Sequence, residues 1–405
     1  MGFAKEHAED VAARGFGDSD KTICDQHLHE QALKDVIVGV ACEVSCSYCD
    51  RVGSEDDPIA ASLEDVMDVV MDGVRFRFGR ANDEGVSLDG GEWVGANIYD
   101  SSDVLDEVLG WDGLVDDEVL EDMKDTIVPD DWASRDFAVL NPDDQLRVNW
   151  AAFCKLVKHE SRFTFMTSRK NSSYDPDELS TVELFERLAK VVRRIPNARA
   201  EIAGDEVLYR GRMTADIPDL TTYTGAKLGS PPEGSASANR MSPAGISMFY
   251  GGSDVDTVIA EIAAHSGHRY AVVVGFRVTR PIQIVDLTAL PDLPSIFTSQ
   301  GRRTYYDISF LHDFRDELTR PVILDGREHI EYVPTQIFTE YLRLSAPFTV
   351  EGLRFPSAQT GGKNCVLFCG PEACAEASAV ESKTWLEYQP ATLSAYRVVA
   401  HGTRL

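Results

Sequence analysis

Hydrophobic and polar positions divide the chain into two halves of different texture. In the first half, apolar residues recur at helical spacing, as in the stretches 58–80, 101–127 and 142–160. From about residue 201 the pattern changes to short apolar runs bounded by turn residues, such as YAVVVGFRV and CVLFCG. The pattern predicts an α-helical N-terminal half and an α+β C-terminal half, built on a mostly antiparallel sheet with helices against it.

A polar stretch with a proline, residues 169–184, separates these textures and is followed by a helix that runs to about Arg194. A chain of 405 residues suits two or three domains. We therefore expect a short cysteine-bearing segment, an acidic helical domain and an α+β domain. Their expected limits are 1–55, 56–195 and 196–405.

The stretch 239–261, NRMSPAGISMFYGGSDVDTVIAE, combines three chemically distinct side chains. Arg240 lies in a loop, Tyr250 ends a short alternating run, and Glu261 lies at the border of the apolar stripe of a helix. A loop arginine, a strand-end tyrosine and a half-buried carboxylate can therefore meet at one cleft. The competing interpretation is a surface arginine, a core tyrosine and a solvated glutamate.

The local structure of this stretch follows from its turn and cap residues. Residues 246–250 alternate as a strand, which the glycine pair at 251–252 is expected to break. Ser253 and Asp256 then form a capping box of the Ser-x-x-Asp kind, which predicts the start of the helix that carries Glu261.

Composition limits the location and the partners of the protein. No apolar run approaches the ~20 residues that span a bilayer, and the polar N-terminus lacks the apolar core of a secretory signal. We therefore expect a cytoplasmic protein without a membrane partner. The net charge of −28 argues against a broad, non-specific nucleic-acid surface and leaves only a local basic groove open, so direct nucleic-acid binding is not expected. Much of this charge is local, since residues 51–150 hold 27 Asp and Glu against 7 Lys and Arg.

Half of the eight cysteines lie between positions 24 and 49. A Cys-x-x-His knuckle is followed by a Cys-x-x-Cys knuckle after a helix-length spacer, which is the spacing of a closed tetrahedral zinc site. The predicted ligands are Cys24, His27, Cys46 and Cys49. His29 and Cys42 are spare candidates. Four protein ligands leave no open position, so the zinc is expected to be structural. The alternative is a reduced chain whose cysteines cluster without a metal.

Two further places in the second half carry groups that bind anions. Arg210 and Arg212 flank a glycine at the end of a strand, and two guanidinium groups can make bidentate contacts to a diphosphate. Ser357 ends another strand ahead of a glycine pair, where a hydroxyl can donate to a phosphate or a ribose. The alternatives are a charged strand end and a serine-capped turn.

Taken together, these residues resemble the RES domain, named for its arginine, glutamate and serine. The likeness runs over roughly 200–375 and consists of a Tyr-Arg strand, then Arg-x9-Tyr-x10-Glu, then a Pro-Ser strand end followed by Gly-Gly-x-Asn. The N-terminal half is similar to the HEPN/RES N-terminal domain, which carries Cys-x-x-Cys-type knuckles ahead of a helical region. Here His27 replaces the usual cysteine of one knuckle.

This resemblance implies a helical N-terminal domain with a small zinc knuckle, followed by an α+β RES domain like the ADP-ribosyltransferases of the diphtheria-toxin kind. It also implies destruction of NAD+. The implied catalytic residues are Arg240, Tyr250, Glu261 and Ser357, and the implied NAD+-binding residues are Arg210, Arg212 and Asn364. RES proteins often act as toxins with a DNA-binding antitoxin, so the expected partners are NAD+ and an antitoxin or other regulatory protein. A homo-oligomer is also expected.

The chemistry of these residues agrees with the implied activity. Cleavage of the nicotinamide–ribose bond passes through an oxocarbenium-like state, as glycoside hydrolysis does. The arginines would hold the diphosphate, Tyr250 would face the cationic ring, and Glu261 would stabilise the developing positive charge. Ser357 would position a phosphate or the nicotinamide ribose. The step needs no metal.

Three functions stay open at this point. The first is an NAD+ glycohydrolase or phosphorylase, which differ in using water or phosphate as acceptor. The second is a mono-ADP-ribosyltransferase that modifies a protein with the same residues. The third is an inert partner-binding module, which the full set of Arg, Tyr, Glu and Ser makes less favourable.

Overall fold

The structure is a computed structural model that describes residues 2–167, 175–264, 266–320 and 326–398. The chain forms two compact units. Unit 1 comprises Met1–Pro142 and Leu293–Tyr306, and unit 2 comprises Asp143–Asp292 and Asp307–Leu405. The polar stretch expected at 169–184 lies partly outside the described residues. The expected domain limits at 55 and 195 stay predictions.

Unit 1 is mainly helical and also contains small sheets. Its helices are α1 (Gly2–Arg14), α2 (Gln31–Val40), α3 (Leu63–Arg77), α4 (Ser101–Leu105) and α5 (Asp117–Thr126). Its strands are β1 (Thr22–Cys24), β2 (Ala60–Ser62), β3 (Phe78–Arg80), β4 (Ser87–Asp89), β5 (Glu92–Val94), β6 (Ile98–Asp100) and β7 (Asp131–Ser134). Strand β1 pairs with β2, β4 pairs with β5, and the third sheet has the order β3-β7-β6. The helical spacing at 58–80 and 101–127 predicted α3, α4 and α5, whereas the short strands were not predicted.

Helix α3 is central to the core of unit 1. Its N-terminus is capped by Ser62, whose hydroxyl accepts a hydrogen bond from the Glu64 amide at 3.1 Å. One face of the helix is buried, and at Gly73 a Cβ would lie 2.7 Å from the ring of Phe297. Phe297 belongs to the 293–306 segment, so this distant segment completes the core of unit 1.

Unit 2 contains the remaining elements. Its helices are α6 (Pro142–His159), α7 (Thr181–Arg194), α8 (Gly225–Leu228), α9 (Val255–Ala264), α10 (Ser299–Thr319, which begins in unit 1), α11 (Glu328–Glu331) and α12 (Val333–Leu344). Its strands are β8 (Arg199–Ile202), β9 (Val207–Thr214), β10 (Phe249–Gly252), β11 (Tyr270–Val278), β12 (Ile282–Asp286), β13 (Gly352–Pro356), β14 (Lys363–Leu367), β15 (Cys374–Glu376) and β16 (Leu386–Arg397). Among the helices of the described residues, none combines the length and the apolarity needed to cross a bilayer.

The strands of unit 2 form one mixed sheet. Within the described residues its order is β15-β16-β11-β9-β10-β14-β13-β12-β8. The pairs β12–β13 and β15–β16 are parallel and the other neighbours are antiparallel, in agreement with the predicted α+β class. Strand β9 therefore lies beside β10, and β10 beside β14, although these three strands are far apart in the sequence.

Side chains alternate between the two faces of this sheet, as strand geometry requires. On β14, Cys365 and Leu367 pack in one core with Phe249. Val366 points to the opposite face and packs in a second core with helices α6, α7, α10 and α12. Helix α9 packs on β9 and β11 through Val258, which places its carboxyl-terminal half beside the centre of the sheet.

Two local predictions for the stretch 239–261 are wrong. The strand is Phe249–Gly252 rather than 246–250, so the glycine pair lies inside the strand and does not break it. The cap of α9 is Asp254 rather than Ser253, since its carboxylate accepts the Thr257 amide at 2.7 Å. The short side chain of Asp254 reaches the first turn directly, which is the usual geometry of an aspartate N-cap.

Candidate functional site

A cavity of about 1280 Å³ opens in unit 2 beside strands β9, β10 and β14 and helix α9. It exceeds the roughly 300–1,000 Å³ of ordinary small-molecule pockets. Six of the seven residues that the sequence predicts for catalysis and NAD+ binding line it. They are Arg210, Arg212, Arg240, Tyr250, Glu261 and Asn364. Ser357 lies behind the wall, which its neighbours Pro356 and Ala358 line.

Glu261, on α9, is held by two donors from the β13–β14 region. Its Oε1 accepts hydrogen bonds from Ser357 Oγ at 2.6 Å and from Asn364 Nδ2 at 2.8 Å. Within the described residues, Oε2 has no hydrogen-bond partner. One carboxylate oxygen is therefore fixed by the protein, and the other remains available to a molecule in the cavity.

Tyr250 lies on β10 opposite Val366 of β14. Its phenolic oxygen and Ser242 Oγ are 2.9 Å apart, so the hydroxyl has a partner at the cavity wall. Burial raises the pKa of Tyr250 to about 12, so the side chain is a neutral phenol at physiological pH. A neutral aromatic ring next to a cavity can receive a flat cationic ring.

Arg210 contributes a half-buried guanidinium from β9. Its Nη1 donates to the Tyr250 carbonyl oxygen at 2.7 Å, and its Cζ lies 5.2 Å from the centroid of the Phe249 ring. Its Nε is buried without a partner. Burial, with a smaller effect of Arg212, lowers the pKa of Arg210 to about 10, so the group still carries its charge at neutral pH.

Arg240 is held from the helical side of the cavity. Its Nη1 donates to the Leu318 carbonyl oxygen at 3.0 Å, near the end of α10, and its Cζ lies 5.7 Å from the centroid of Tyr332. Burial lowers the pKa of Arg240. Within the described residues no carboxylate forms an ion pair with Arg210, Arg212 or Arg240. The cavity therefore has an excess of positive charge, which suits an anionic ligand.

Sequence reasoning missed Ser242 and Tyr332, which contact Tyr250 and Arg240 respectively. Ser242 lies within the stretch 239–261 but has no spacing that distinguishes it from other loop serines. Tyr332 lies 92 positions after Arg240, and only the fold brings the two together. No signal in a single sequence identifies either residue.

The structure also brings together the four predicted zinc ligands in unit 1. The donor atoms of Cys24, His27, Cys46 and Cys49 all lie within 4.8 Å of one another. The imidazole of His27 faces Asp116 through Nδ1, at 2.7 Å from Oδ2, while its Nε2 is buried without a partner. A histidine held by a carboxylate, with its second nitrogen directed at three thiols, fits a tetrahedral zinc ion.

The two spare candidates lie outside this group. His29 Nε2 lies 2.7 Å from the second oxygen of Asp116, so this side chain supports the carboxylate that orients His27. Cys42 is exposed and does not belong to the cluster. The arrangement favours the Cys24, His27, Cys46 and Cys49 set over one that includes His29 or Cys42.

Two protein-family models match the chain, one in its N-terminal half and one in its C-terminal half. The model of the RES domain matches residues 206–389, which hold all seven predicted catalytic and NAD+-binding residues. The C-terminal part of the chain is therefore a RES domain. The model of HEPN/RES N-terminal domain 1 matches residues 41–171, ahead of the RES domain. Of the four clustered ligands, Cys46 and Cys49 fall inside this match.

Other comparisons add little to the RES assignment. No curated protein matches significantly. Among solved structures, one chain in the crystal structure of the M. tuberculosis MbcT–MbcA toxin–antitoxin complex is similar at 14% identity. The similarity covers 53% of this chain and 92% of that chain, with a TM-score of 0.26. A TM-score this low does not establish a shared fold.

Proposed function

We propose that the RES domain degrades NAD+ by cleaving the bond between nicotinamide and ribose. The observation that carries the proposal is the state of Glu261: its Oε1 is held by two donors, its Oε2 has no partner within the described residues, and it lines the same cavity as three arginines without carboxylate partners. This combination suits a substrate with a diphosphate and a developing positive charge.

The arginines would bind the diphosphate. A guanidinium is a fixed cation with a planar fork, which matches phosphate oxygens bidentately. Arg210 has a buried Nε without a partner, so a phosphate oxygen there would satisfy a donor that is otherwise unpaired. Arg240 and Arg212 would supply further positive charge along the cavity.

Tyr250 and Glu261 would act at the nicotinamide end. The face of Tyr250 attracts the pyridinium ring and holds it beside the carboxylate. When the bond from C1′ to the ring nitrogen breaks, its electron pair stays on that nitrogen and neutral nicotinamide leaves. Glu261 stabilises the oxocarbenium character of C1′, and the oxygen of a water or of a phosphate then bonds to C1′. With water, the proton released on bond formation goes to Glu261 or to solvent.

Product identification with the purified full-length protein tests this function and its variants. An NAD+ glycohydrolase yields nicotinamide and ADP-ribose, whereas a phosphorylase needs inorganic phosphate and yields a phosphorylated ADP-ribose. With NAD+ labelled in its adenosine part, a mono-ADP-ribosyltransferase leaves the label on a protein. NAD+ that stays intact in buffer alone, with inorganic phosphate and with an acceptor protein would contradict the proposal and favour the inert partner-binding module.

The cellular role would be that of a growth-arresting toxin or defence effector, because loss of NAD+ stops metabolism. An antitoxin or other regulatory protein would then be required as a partner, in a cytoplasmic setting where NAD+ is available. A second copy of the chain is a further proposed partner. Co-expression with a neighbouring gene product that restores growth and co-purifies with the chain would support such a partner.

The Cys/His cluster would hold a structural zinc ion. Zinc bound by three thiolates and one imidazole has no open position and supplies rigidity to the segment that contains the two knuckles. In this proposal, Asp116 orients the His27 imidazole for the metal through its 2.7 Å contact to Nδ1.

A further inference from the structure

The turn that joins β13 to β14, residues 357–362, touches the helix that carries Glu261 at two levels. We propose that this turn is a positioning element for the Glu261 carboxylate and that Ser357 does not itself bind substrate. This inference rests on the proposed function, and it gives Ser357 a different role from the phosphate or ribose contact expected from the sequence.

The hydroxyl of Ser357 has no hydrogen-bonding capacity left for a substrate. It donates to Glu261 Oε1 at 2.6 Å, and it accepts from the amides of Gln359 at 3.1 Å and Thr360 at 3.2 Å. A serine hydroxyl offers one donor and two acceptor positions, so all three are used. The residue is only 8% exposed. Ser357 therefore links the backbone of the turn to the carboxylate.

A second link joins the turn to α9 one helical turn before Glu261. Thr257 Oγ1 donates its hydrogen to Asp254 Oδ2 at 2.8 Å. In the 2.9 Å hydrogen bond between Thr257 Oγ1 and Thr360 Oγ1, Thr360 is therefore the donor and Thr257 the acceptor. Thr360 Oγ1 in turn accepts from the Gly362 amide at 3.1 Å. Positions 257 and 261 are i and i+4 on the helix and share one face. The turn is thus bound to the helix at both positions.

The close fit between the turn and Thr257 depends on one glycine of the pair. A Cβ on Gly362 would lie 1.9 Å from Thr257 Oγ1 and 3.0 Å from Thr257 Cβ. At Gly361 a Cβ would meet nothing within 4 Å. The backbone of neither glycine has a positive φ, so the difference between them is one of space. The two neighbours provide a matched pair of substitutions.

The test compares variants of the full-length protein in two measurements, the kinetics of NAD+ loss and the affinity for ADP-ribose. ADP-ribose contains the diphosphate but lacks the nicotinamide–ribose bond. Ser357→Ala and Gly362→Ala should lower kcat by between about 10-fold and 100-fold, because a small displacement of a catalytic group costs rate. Affinity for ADP-ribose should stay at the wild-type level in both. Gly361→Ala should match the wild type.

Two substitutions at Thr360 form a milder matched pair, which tests the proposal if Gly362→Ala does not fold. Thr360→Val removes the hydroxyl at nearly constant volume and should lower kcat, whereas Thr360→Ser keeps the hydroxyl and should restore it. Weaker ADP-ribose binding with unchanged kcat in Ser357→Ala would show that Ser357 binds substrate and would overturn the proposal. Equal effects of the two glycine substitutions, or of the two Thr360 substitutions, would also overturn it. A wild-type protein that leaves NAD+ intact would refute the proposed function, and the positioning role with it.

Discussion

The arginines of the cavity differ from other arginines of unit 2 in their partners. Arg277 and Arg280 form ion pairs with glutamates, as most half-buried cations in an acidic protein are expected to do. Arg210, Arg212 and Arg240 form none within the described residues. Arg212 is exposed, whereas Arg210 and Arg240 are partly buried. An unpaired cation costs free energy when it is desolvated, so the retention of Arg210 and Arg240 in a chain of net charge −28 favours a bound anion.

Replacing Arg210 by lysine tests this idea at the level of one residue. Lysine keeps the charge but loses the planar fork, so we expect a KM for NAD+ that is about 10-fold to 100-fold higher, as the loss of a charged hydrogen bond would give. Arg277→Lys, at an ion pair away from the cavity, is the matched control and should leave KM unchanged. Equal KM values in the two variants would speak against a phosphate contact by Arg210.

The raised pKa of Tyr250 predicts a specific dependence of stability on pH. The folded state keeps the proton of Tyr250 up to a pKa of about 12, whereas the unfolded tyrosine loses it near 10. The contribution of this difference to the free energy of unfolding is fully present below pH 10. It is lost as the pH rises from 10 to 12, by up to about 3 kcal/mol. Denaturant unfolding across this range should therefore show a steeper fall for the wild type than for Tyr250→Phe. Parallel curves would contradict the shift.

The spacing of Arg240, Tyr250 and Glu261 allowed a shared cleft but equally allowed a surface arginine, a core tyrosine and a solvated glutamate. The fold brings all three to one cavity. The contacts around these residues were not predictable. The bond from Ser357 to Glu261 spans 96 positions and depends on how β13 and β14 turn. A single sequence contains the donor and the acceptor but not their distance.

Helix α9 approaches the sheet closely at a glycine of β9. A Cβ on Gly211 would lie 2.9 Å from Ile262 Cδ1 and 3.1 Å from the carbonyl oxygen of Val272. Gly211→Ala should therefore push the helix outward and lower the free energy of unfolding by about 1–3 kcal/mol, the usual cost of overpacking. NAD+ turnover should fall as well, since the helix carries Glu261. Gly204→Ala, where a Cβ meets nothing within 4 Å, should be neutral in both measurements.

The wrong strand prediction within the stretch 239–261 is explained by how closely the neighbouring elements pack. Sequence rules treat a glycine pair as the end of a strand. Here a Cβ on Gly251 would lie 2.9 Å from the carbonyl oxygen of Tyr209, and a Cβ on Gly252 would lie 3.0 Å from Val258 Cγ2. Both glycines therefore belong in the strand because a neighbouring strand and α9 approach too closely for a side chain.

The division of the chain into compact units affects how the whole molecule should be studied. Segment 293–306 lies within the RES match in sequence but belongs to unit 1 by its contacts, where Ile296 and Phe297 join the core. A fragment that begins at residue 196 would contain these two side chains but lack the rest of unit 1, so they would lose the core in which they pack. Activity and toxicity are therefore best measured on the full chain.

The proposed zinc ion predicts a difference between two cysteines of the same segment. The purified protein should contain about one zinc per chain by elemental analysis. Cys46→Ser should lose the metal and lower the melting temperature of unit 1, because a structural zinc contributes folding free energy. Cys42→Ser should retain both, since Cys42 is exposed and outside the cluster. Full zinc content in the Cys46→Ser variant would rule out this ligand set.

The proposed role of Glu261 is that this carboxylate, fixed by Ser357 and Asn364, promotes cleavage of NAD+ in a cavity lined by arginines. Its most direct test is nicotinamide release from NAD+ by the full-length wild type and by Glu261→Gln, which keeps the size of the side chain and removes its charge. We predict steady release by the wild type and a rate at least about 100-fold lower in the variant, with unchanged folding and ADP-ribose binding. Equal rates in the two proteins, or no release by the folded wild type, would contradict the account.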